Sequence, residues 1–391
     1  MSGGVEFFDT RLGDSMMWKK NRSENVVDLV VVHSSDEYYG ADRVIRQVLK
    51  AAQDVPGLAG IELWLPVDIE IPEGHRSIFD DLDGVNVRRS ELPIIRRKYL
   101  TVRGGWNMLR RLGGQLSRLR ESNARVIYLG TSACLLFAPV ARFARSGQVV
   151  LHLQEIWSGP ERFVLRFLAL FCTKIVCISA AVRSELPTYL RAKSVLIENS
   201  TAAPEMVVPL THSERPIRFL IASRWNSWKG HQTLLAAWGQ VPDGRELIIL
   251  GGPAPVGISV DVPTMVSTLS NRDSVSIVGE VPDIGRYLNE ADVVLVPSDK
   301  EEPFGLIAIE AFSRGRPVIA SDGGGLSDIV EHGKNGWKFK PRDVRELANL
   351  LSTIRRDEIE RFGGAALATY EARYSEERYR REVAGLLSDL L

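Results

Sequence analysis

The sequence predicts an α/β fold made of two similar doubly wound domains that face each other. Three observations carry this expectation. First, runs of β-branched and apolar residues alternate with amphipathic helical patterns, as parallel strands covered on both faces require. Second, polar or glycine-containing turns follow these runs and open the helices. Third, the alternation stops once, at Ser200–Pro216, where three prolines and no periodicity read as an interdomain linker. A chain of 391 residues is also too long for one ordinary core. The boundaries that result are a polar extension over 1–25, a first domain over 26–205, a second over 206–374 and a closing helix over 375–391.

Val26–Ser35 is a β-branched run that ends in polar residues. Tyr39-Gly40-Ala41-Asp42 then opens a helix with Val44, Ile45, Val48 and Leu49 at helical spacing. A glycine at that turn lets backbone approach a ligand closely, although a plain helix start fits the residues equally. No Gly-x-Gly-x-x-Gly pattern is present there, so dinucleotide binding is unsupported. Ile61–Leu65 is a second strand. Asp81-Leu82-Asp83 has the form of a cation-binding Asp-x-Asp, but it lies in a polar stretch with no strand before it, and it reads as a solvated loop. Strands and helices then alternate through Val126–Leu129, Ala133–Ala144, Val149–Leu153, Phe163–Phe171, Lys174–Ile178, Ala180–Leu190 and Ser194–Ile197. One strand ends in His152-Leu153-Gln154-Glu155, a polar cluster where a site is expected, though a hydrogen-bonded core histidine explains His152 as well.

Arg88–Arg125 is strongly basic and carries Trp106, Leu109, Leu112, Leu116 and Leu119 as an apolar stripe. Such a helix either packs its stripe on the sheet or lies on an anionic membrane, and the two are compatible. The chain as a whole balances 49 Lys and Arg against 49 Asp and Glu, so bulk charge predicts no nucleic-acid partner. Cys134, Cys172 and Cys177 lie inside apolar runs and read as reduced core thiols of a cytoplasmic protein. The most apolar stretch, Phe163–Ile178, is interrupted by Arg166 and Lys174, so no transmembrane helix is expected and attachment to the inner membrane face stays open.

In the second half, the strand Arg218–Ala222 runs into Ser223-Arg224-Trp225-Asn226-Ser227-Trp228-Lys229-Gly230 and a helix from His231. Two cations between a strand end and a helix start suit a diphosphate: arginine offers a fork of donors and lysine a mobile charge. Glu246–Leu250 ends in Gly251-Gly252, and Ser274–Val278 in Gly279-Glu280-Val281, a turn where a flat base could stack. Asp292–Val296 feeds Pro297-Ser298, Glu302-Pro303-Phe304-Gly305 and a helix that carries Glu310. Glu302 and Glu310 bracket seven residues, which puts the first on a loop and the second in the helix. They can therefore serve different parts of one long ligand, Glu310 taking the hydroxyls of a ribose.

These motifs, with Gly324-Gly325-Leu326-Ser327-Asp328, appear in an order that resembles the retaining glycosyltransferase family 4. The likeness is strongest over Ile217–Phe339, and Gly40, Ile178-Ser179 and Asn199-Ser200 look like its earlier landmarks. The resemblance implies a GT-B fold, two Rossmann-like domains across a central cleft, with the last helix returning to the first domain. It implies that Arg224 and Lys229 bind the donor diphosphate and Glu310 the ribose. Glu302 would contact the transferred sugar, and Phe304, Gly305 and Leu306 would offer backbone. Gly40 would approach the phosphates from across the cleft, and Val281 would present backbone to the base. It implies no metal and no cofactor beyond the nucleotide-sugar donor. The sequence departs from the pattern twice. Gln154-Glu155 stands where many members have His-Asp or His-Glu, so Glu155 is the acceptor-side candidate; and Gly-Gly-Leu-Ser-Asp replaces Gly-Gly-x-Pro-Glu. The implied reaction is retaining transfer from a UDP- or GDP-sugar to a hydroxyl of a glycan or lipid-linked acceptor, in cell-envelope polysaccharide or glycolipid synthesis. The rivals are a nucleotide-sugar epimerase or phosphorylase on a similar fold and a non-catalytic partner protein.

Overall fold

The computed structural model describes residues 27–36, 40–68, 77–95, 102–144, 147–210, 215–253 and 257–391. The polar extension over 1–25, Tyr39, Arg96–Lys98 and the side chains of Arg103, Trp106 and Leu109 lie outside the described residues.

Two parallel sheets organise the chain. The first contains β1 (Leu29–Val32), β2 (Ile61–Pro66), β3 (Val85–Ser90), β4 (Val126–Leu129), β5 (Gln148–Leu153), β6 (Lys174–Cys177) and β7 (Ser194–Leu196), in the order β3-β2-β1-β4-β5-β6-β7. The second contains β8 (Ile217–Ala222), β9 (Arg245–Leu250), β10 (Val275–Gly279), β11 (Val293–Val296), β12 (Val318–Ser321) and β13 (Gly336–Phe339), in the order β10-β9-β8-β11-β12-β13. Each order reverses once, between β1 and β4 and between β8 and β11. In doubly wound sheets a crevice opens at such a point, outside the carboxyl ends of the strands. Of the four strands that flank these points, β1, β4 and β11 consist of buried apolar residues and β8 does so apart from half-buried Arg218 and Ala222, which is why they read as continuous runs.

The helices of the first domain are α1 (Gly40–Gln53), α2 (Val102–Ser122), α3 (Phe137–Phe143), α4 (Glu161–Ala169), α5 (Ala180–Ser184) and α6 (Thr188–Arg191). The second has α7 (His231–Trp238), α8 (Val262–Ser267), α9 (Gly285–Glu290), α10 (Leu306–Phe312), α11 (Leu326–Ile329), α12 (Val344–Thr353) and α13 (Arg356–Arg373). The last helix, α14 (Glu376–Leu390), packs on α1 and buries Tyr379, Val383 and Leu387 in the apolar cluster of Val44, Val48 and Leu49. Tyr370 donates to the Thr201 carbonyl at 3.0 Å, tying the two places where the chain passes between the sheets.

Two expectations need correction. The basic segment expected over Arg88–Arg125 is not helical throughout: Arg88–Ser90 end the edge strand β3, and the helix α2 begins at Val102. Val85 and Val87 are half-buried while Asn86 and Arg88 are exposed, an alternation that the arginine pair Arg88-Arg89 obscured. The single helix expected over Ala180–Leu190 is two short helices, because Pro187 has no amide to continue the ladder. All three cysteines are buried, and burial pushes the Cys172 and Cys177 thiols up to about 12, as inert core thiols require. Among the described residues no helix is long and apolar enough to cross a membrane.

Candidate functional site

The carboxyl ends of β8 and β11 lie side by side and supply one wall of a crevice. After β8 the chain passes through half-buried Arg224 and a short turn, Ser227–Lys229, before α7 begins. Gly230 joins the two with φ of +76°, and a Cβ there would lie 1.7 Å from the Pro297 carbonyl oxygen. Only glycine lets this turn sit against the end of β11. The Lys229 ammonium consequently reaches the Glu302 carboxylate at 2.6 Å and lies 4.1 Å from the centre of the Trp228 ring. The same Glu302 oxygen accepts a hydrogen bond from the Ser298 hydroxyl at 2.6 Å. Glu302 is 5% exposed, and its loop forms a parallel bridge to Gly324. The sequence assigned Lys229 and Glu302 to separate parts of a ligand; the structure pairs them with each other.

The opposite wall begins at β1. Gly40 is the first residue of α1, and a Cβ on it would meet the Leu306 Cδ1 at 2.8 Å. The starts of α1 and α10, one from each domain, therefore meet with room for a hydrogen only. One turn into α1, Arg43 reaches across to Glu310 on α10 at 2.5 Å. Glu310 is 5% exposed, so this arginine neutralises a nearly buried carboxylate from the other domain. Ser179, the N-cap of α5, makes a second link by donating to the Pro303 carbonyl at 2.6 Å. Behind Gly40, the buried Asp42 holds His33 at 2.8 Å and accepts from the Ser35 hydroxyl at 2.6 Å.

Beyond β4 and β5 lies a further polar group. Glu155 accepts from the Ser132 hydroxyl at 2.6 Å, and the Trp157 indole donates to the same hydroxyl at 2.8 Å. Burial holds the Glu155 carboxyl above its usual range, with the Ser132 bond opposing that shift. Gln154 donates to the Gly130 carbonyl at 2.8 Å. His152 is a core residue: it is fully buried against the Tyr128 hydroxyl at 3.1 Å, and burial pushes its imidazole down to about 3.

Comparison with known proteins agrees with this architecture. Anabaena HepE, solved in complex with UDP and glucose, superposes with a TM-score of 0.74 at 21% identity over 93% of this chain and 99% of its own. Sucrose-phosphate synthase from Thermosynechococcus elongatus gives a TM-score of 0.74 at 19% identity, with 93% and 99% covered. The fold is GT-B. Residues 216–357 match the family described as glycosyl transferases group 1, a match confined to the second domain. An uncharacterized glycosyltransferase of Methanocaldococcus jannaschii is 23% identical over 56% of this chain and 60% of its own length. A D-inositol 3-phosphate glycosyltransferase of Nocardia farcinica is 34% identical over 32% of this chain and 29% of its own. The chain spans less than two thirds of the length of these curated relatives.

Within the GT-B cleft, Gly40, Leu306 and Glu310 come together at the domain contact, and Lys229 pairs with Glu302 at the end of β11. Gly305 takes the left-handed N-cap position of α10. The Phe304 side chain turns away into the core, edge-on to Tyr374 at 6.0 Å, so only its backbone is available to a ligand. Val281 is half-buried beyond the end of β10, and Glu155 stands apart beyond the end of β5 in the first domain. Sequence reasoning missed Arg43 and Ser132. Arg43 had one usable signal: a cation in a helix's first turn opposes the macrodipole and needs a compensating partner. Asp81, expected in a solvated loop, is exposed but ion-paired with Arg46. Among the described residues no group of three or more metal-ligating side chains occurs.

Proposed function

We propose that this chain is a retaining glycosyltransferase. It moves a sugar from a nucleotide diphosphate sugar, UDP- or GDP-linked, to a hydroxyl of a glycan or lipid-linked acceptor in cell-envelope polysaccharide or glycolipid synthesis. The observation that carries this reading is the Lys229–Glu302–Ser298 cluster at the reversal point of the second sheet, facing the glycine start of α1. The family match over the second domain and the UDP and glucose in HepE support it and favour a UDP-sugar.

Arg224 and Lys229 hold the diphosphate, helped by backbone amides of Phe304, Gly305 and Leu306, and Gly40 lets the phosphates approach the first domain. Glu310 takes the ribose hydroxyls, Glu302 the transferred sugar, and the backbone of Val281 the base. As the bond from the anomeric carbon to the diphosphate oxygen breaks, these cations stabilise the charge that develops on the leaving group. The acceptor oxygen attacks the same face of the sugar, and its proton passes to the departing phosphate oxygen. Glu155 orients the acceptor. Charge neutralisation by Arg224 and Lys229 makes the reaction independent of metal and of any cofactor beyond the donor. Closing of the domains keeps water from the oxocarbenium-like sugar.

Screening UDP-, GDP- and ADP-sugars for binding and slow hydrolysis tests the donor class. NMR of the transfer product tests the stereochemistry. Retention of the anomeric configuration is expected, and inversion overturns the mechanism. Conversion of donor alone into its epimer overturns the transferase reading.

A further inference from the structure

The basic segment that suggested a membrane spends much of its charge internally. Arg88 pairs with Glu62 at 2.5 Å and Arg89 with Asp36 at 2.5 Å, while Arg125 lies 3.7 Å from Asp28 and Arg111 3.7 Å from Glu91. On α2, Leu112 and Leu116 are half-buried and Leu119 is buried, so these members of the stripe face the domain.

A different helix has the opposite character. In α4, Leu165, Leu168 and Ala169 turn to the core. On the far side, Phe163, Phe167 and the following Leu170 fall at i, i+4 and i+7, one outward face of a helix. They are 63%, 59% and 50% exposed, and Val164 beside them is 60% exposed. Phe143, at the end of the adjacent α3, is 71% exposed. This helix is apolar on both sides, and its core accounts for only one of them. Cations flank the outer stripe: Arg162 stacks 5.1 Å from the Phe163 ring centre, Arg166 is half-buried and Arg142 is exposed, against Glu161 and Glu185. Aromatic residues with flanking arginines match the acyl boundary and headgroups of an anionic bilayer. The start of α4 lies six residues beyond Glu155, so the helix begins on the side of the sheet where β5 ends.

We propose that the outer face of α4 docks this chain on an anionic lipid bilayer. The consequence, that docking brings the Glu155 end of the cleft to the surface where a lipid-linked acceptor resides, rests on the function proposed above.

The test is sedimentation of the full chain with vesicles of phosphatidylcholine alone or mixed equally with phosphatidylglycerol. The wild type should bind the mixed vesicles, and less so in about 0.5 M salt. The pair Phe163→Ser with Phe167→Ser should lose about tenfold or more in affinity, since it removes two large apolar groups from the bilayer contact. Leu170→Ser should lose less, and Arg162→Gln with Arg166→Gln should lose mainly the preference for phosphatidylglycerol. Arg118→Gln with Arg120→Gln, on α2, should change nothing. No wild-type binding, wild-type binding by the phenylalanine variant, or loss confined to the α2 variant overturns the proposal. So does a wild-type dimer that the phenylalanine variant makes monomeric, because a second copy then covers this face. Slow hydrolysis of UDP-, GDP- and ADP-sugars is read in parallel. Vesicle binding without hydrolysis overturns the enzyme reading alone, and hydrolysis without vesicle binding overturns the docking alone.

Discussion

Lys229→Met, Glu302→Gln and the double variant separate what the Lys229–Glu302 pair does for the fold from what it does for the ligand. The charges stand 2.6 Å apart, with the lysine side chain 24% and the glutamate side chain 6% exposed. At an effective dielectric of about 20, raw attraction at that distance is on the order of 6 kcal/mol, most of it offset by desolvation. Lys229→Met leaves the carboxylate with Ser298 as its remaining partner, and we predict a loss of about 2–3 kcal/mol, below the full cost of breaking a buried pair because the lysine is partly solvated. For a domain of this size that lowers the melting temperature by roughly 5–10 °C. Glu302→Gln costs about 1 kcal/mol, because Lys229 can turn to water. The double variant, with no charge left uncompensated, should melt well above the sum of the singles, a coupling of about 2 kcal/mol. Differential scanning calorimetry reads the stability, and turnover of the UDP-sugar reads the chemistry. Turnover should stay lost in the double variant. Additive melting shifts, or a Lys229→Met variant with unchanged stability and turnover, would refute the reasoning.

Further predictions follow from the same geometry. Gly40→Val places side-chain atoms against Leu306, where even a Cβ comes within 2.8 Å; donor turnover should fall about tenfold or more, and Leu306→Ala should recover part of it. If Leu306→Ala recovers nothing, the clash is not the cause. Gly230→Ala combines a φ of +76° with a Cβ 1.7 Å from a carbonyl oxygen, so it should destabilise by about 3 kcal/mol or more, and a loss under about 1 kcal/mol by urea unfolding excludes this turn geometry. Burial, then the Lys229 charge, pushes His231 down to about 4 from 6.5. A depressed histidine gives stability that is full above the unfolded value and is lost as pH falls toward 4. Between pH 6.5 and 5 its share is about 2 kcal/mol. His231→Gln should flatten the pH dependence of the urea midpoint in that window, and an unchanged slope refutes it. Arg43→Met removes the cross-domain partner of Glu310; small-angle scattering should show a wider mean domain separation, and an unchanged profile with unchanged donor affinity counts against the link.

The parallel strands were legible because burial on both faces leaves β1, β4 and β11 no polar alternation to confuse with helix. The edge strand Val85–Ser90 was not, because an edge exposes alternate residues and its arginines resembled the charged segment that follows. At the site, Arg224, Lys229, Glu302 and Glu310 were legible by position, each beyond a buried strand and near a glycine. Their pairings were not. Lys229 and Glu302 are separated by 73 residues, and Arg43 and Glu310 belong to different domains. No local period encodes such a contact; only the juxtaposition of two sheets creates it.

That juxtaposition gives the two glutamates different physical positions. Glu302 is held by Lys229 and Ser298, both from its own domain, so its charge partner stays with it when the first domain moves. Glu310 is neutralised by Arg43, which rides on α1 and belongs to the other domain. A ligand that bonds to Glu310 therefore acts on a carboxylate whose partner is set by domain separation. If ribose hydroxyls take over oxygens that Arg43 occupies, donor binding works against the domain contact; if they use the remaining lone pairs, it strengthens that contact. In both cases linkage makes the effect reciprocal, so domain separation changes donor affinity by the same factor that donor changes domain separation. The close approach of Gly40 to Leu306 and the Ser179 bond to Pro303 act with the Arg43 link in holding the short domain distance, so the strength of that link sets how far either case moves the domains.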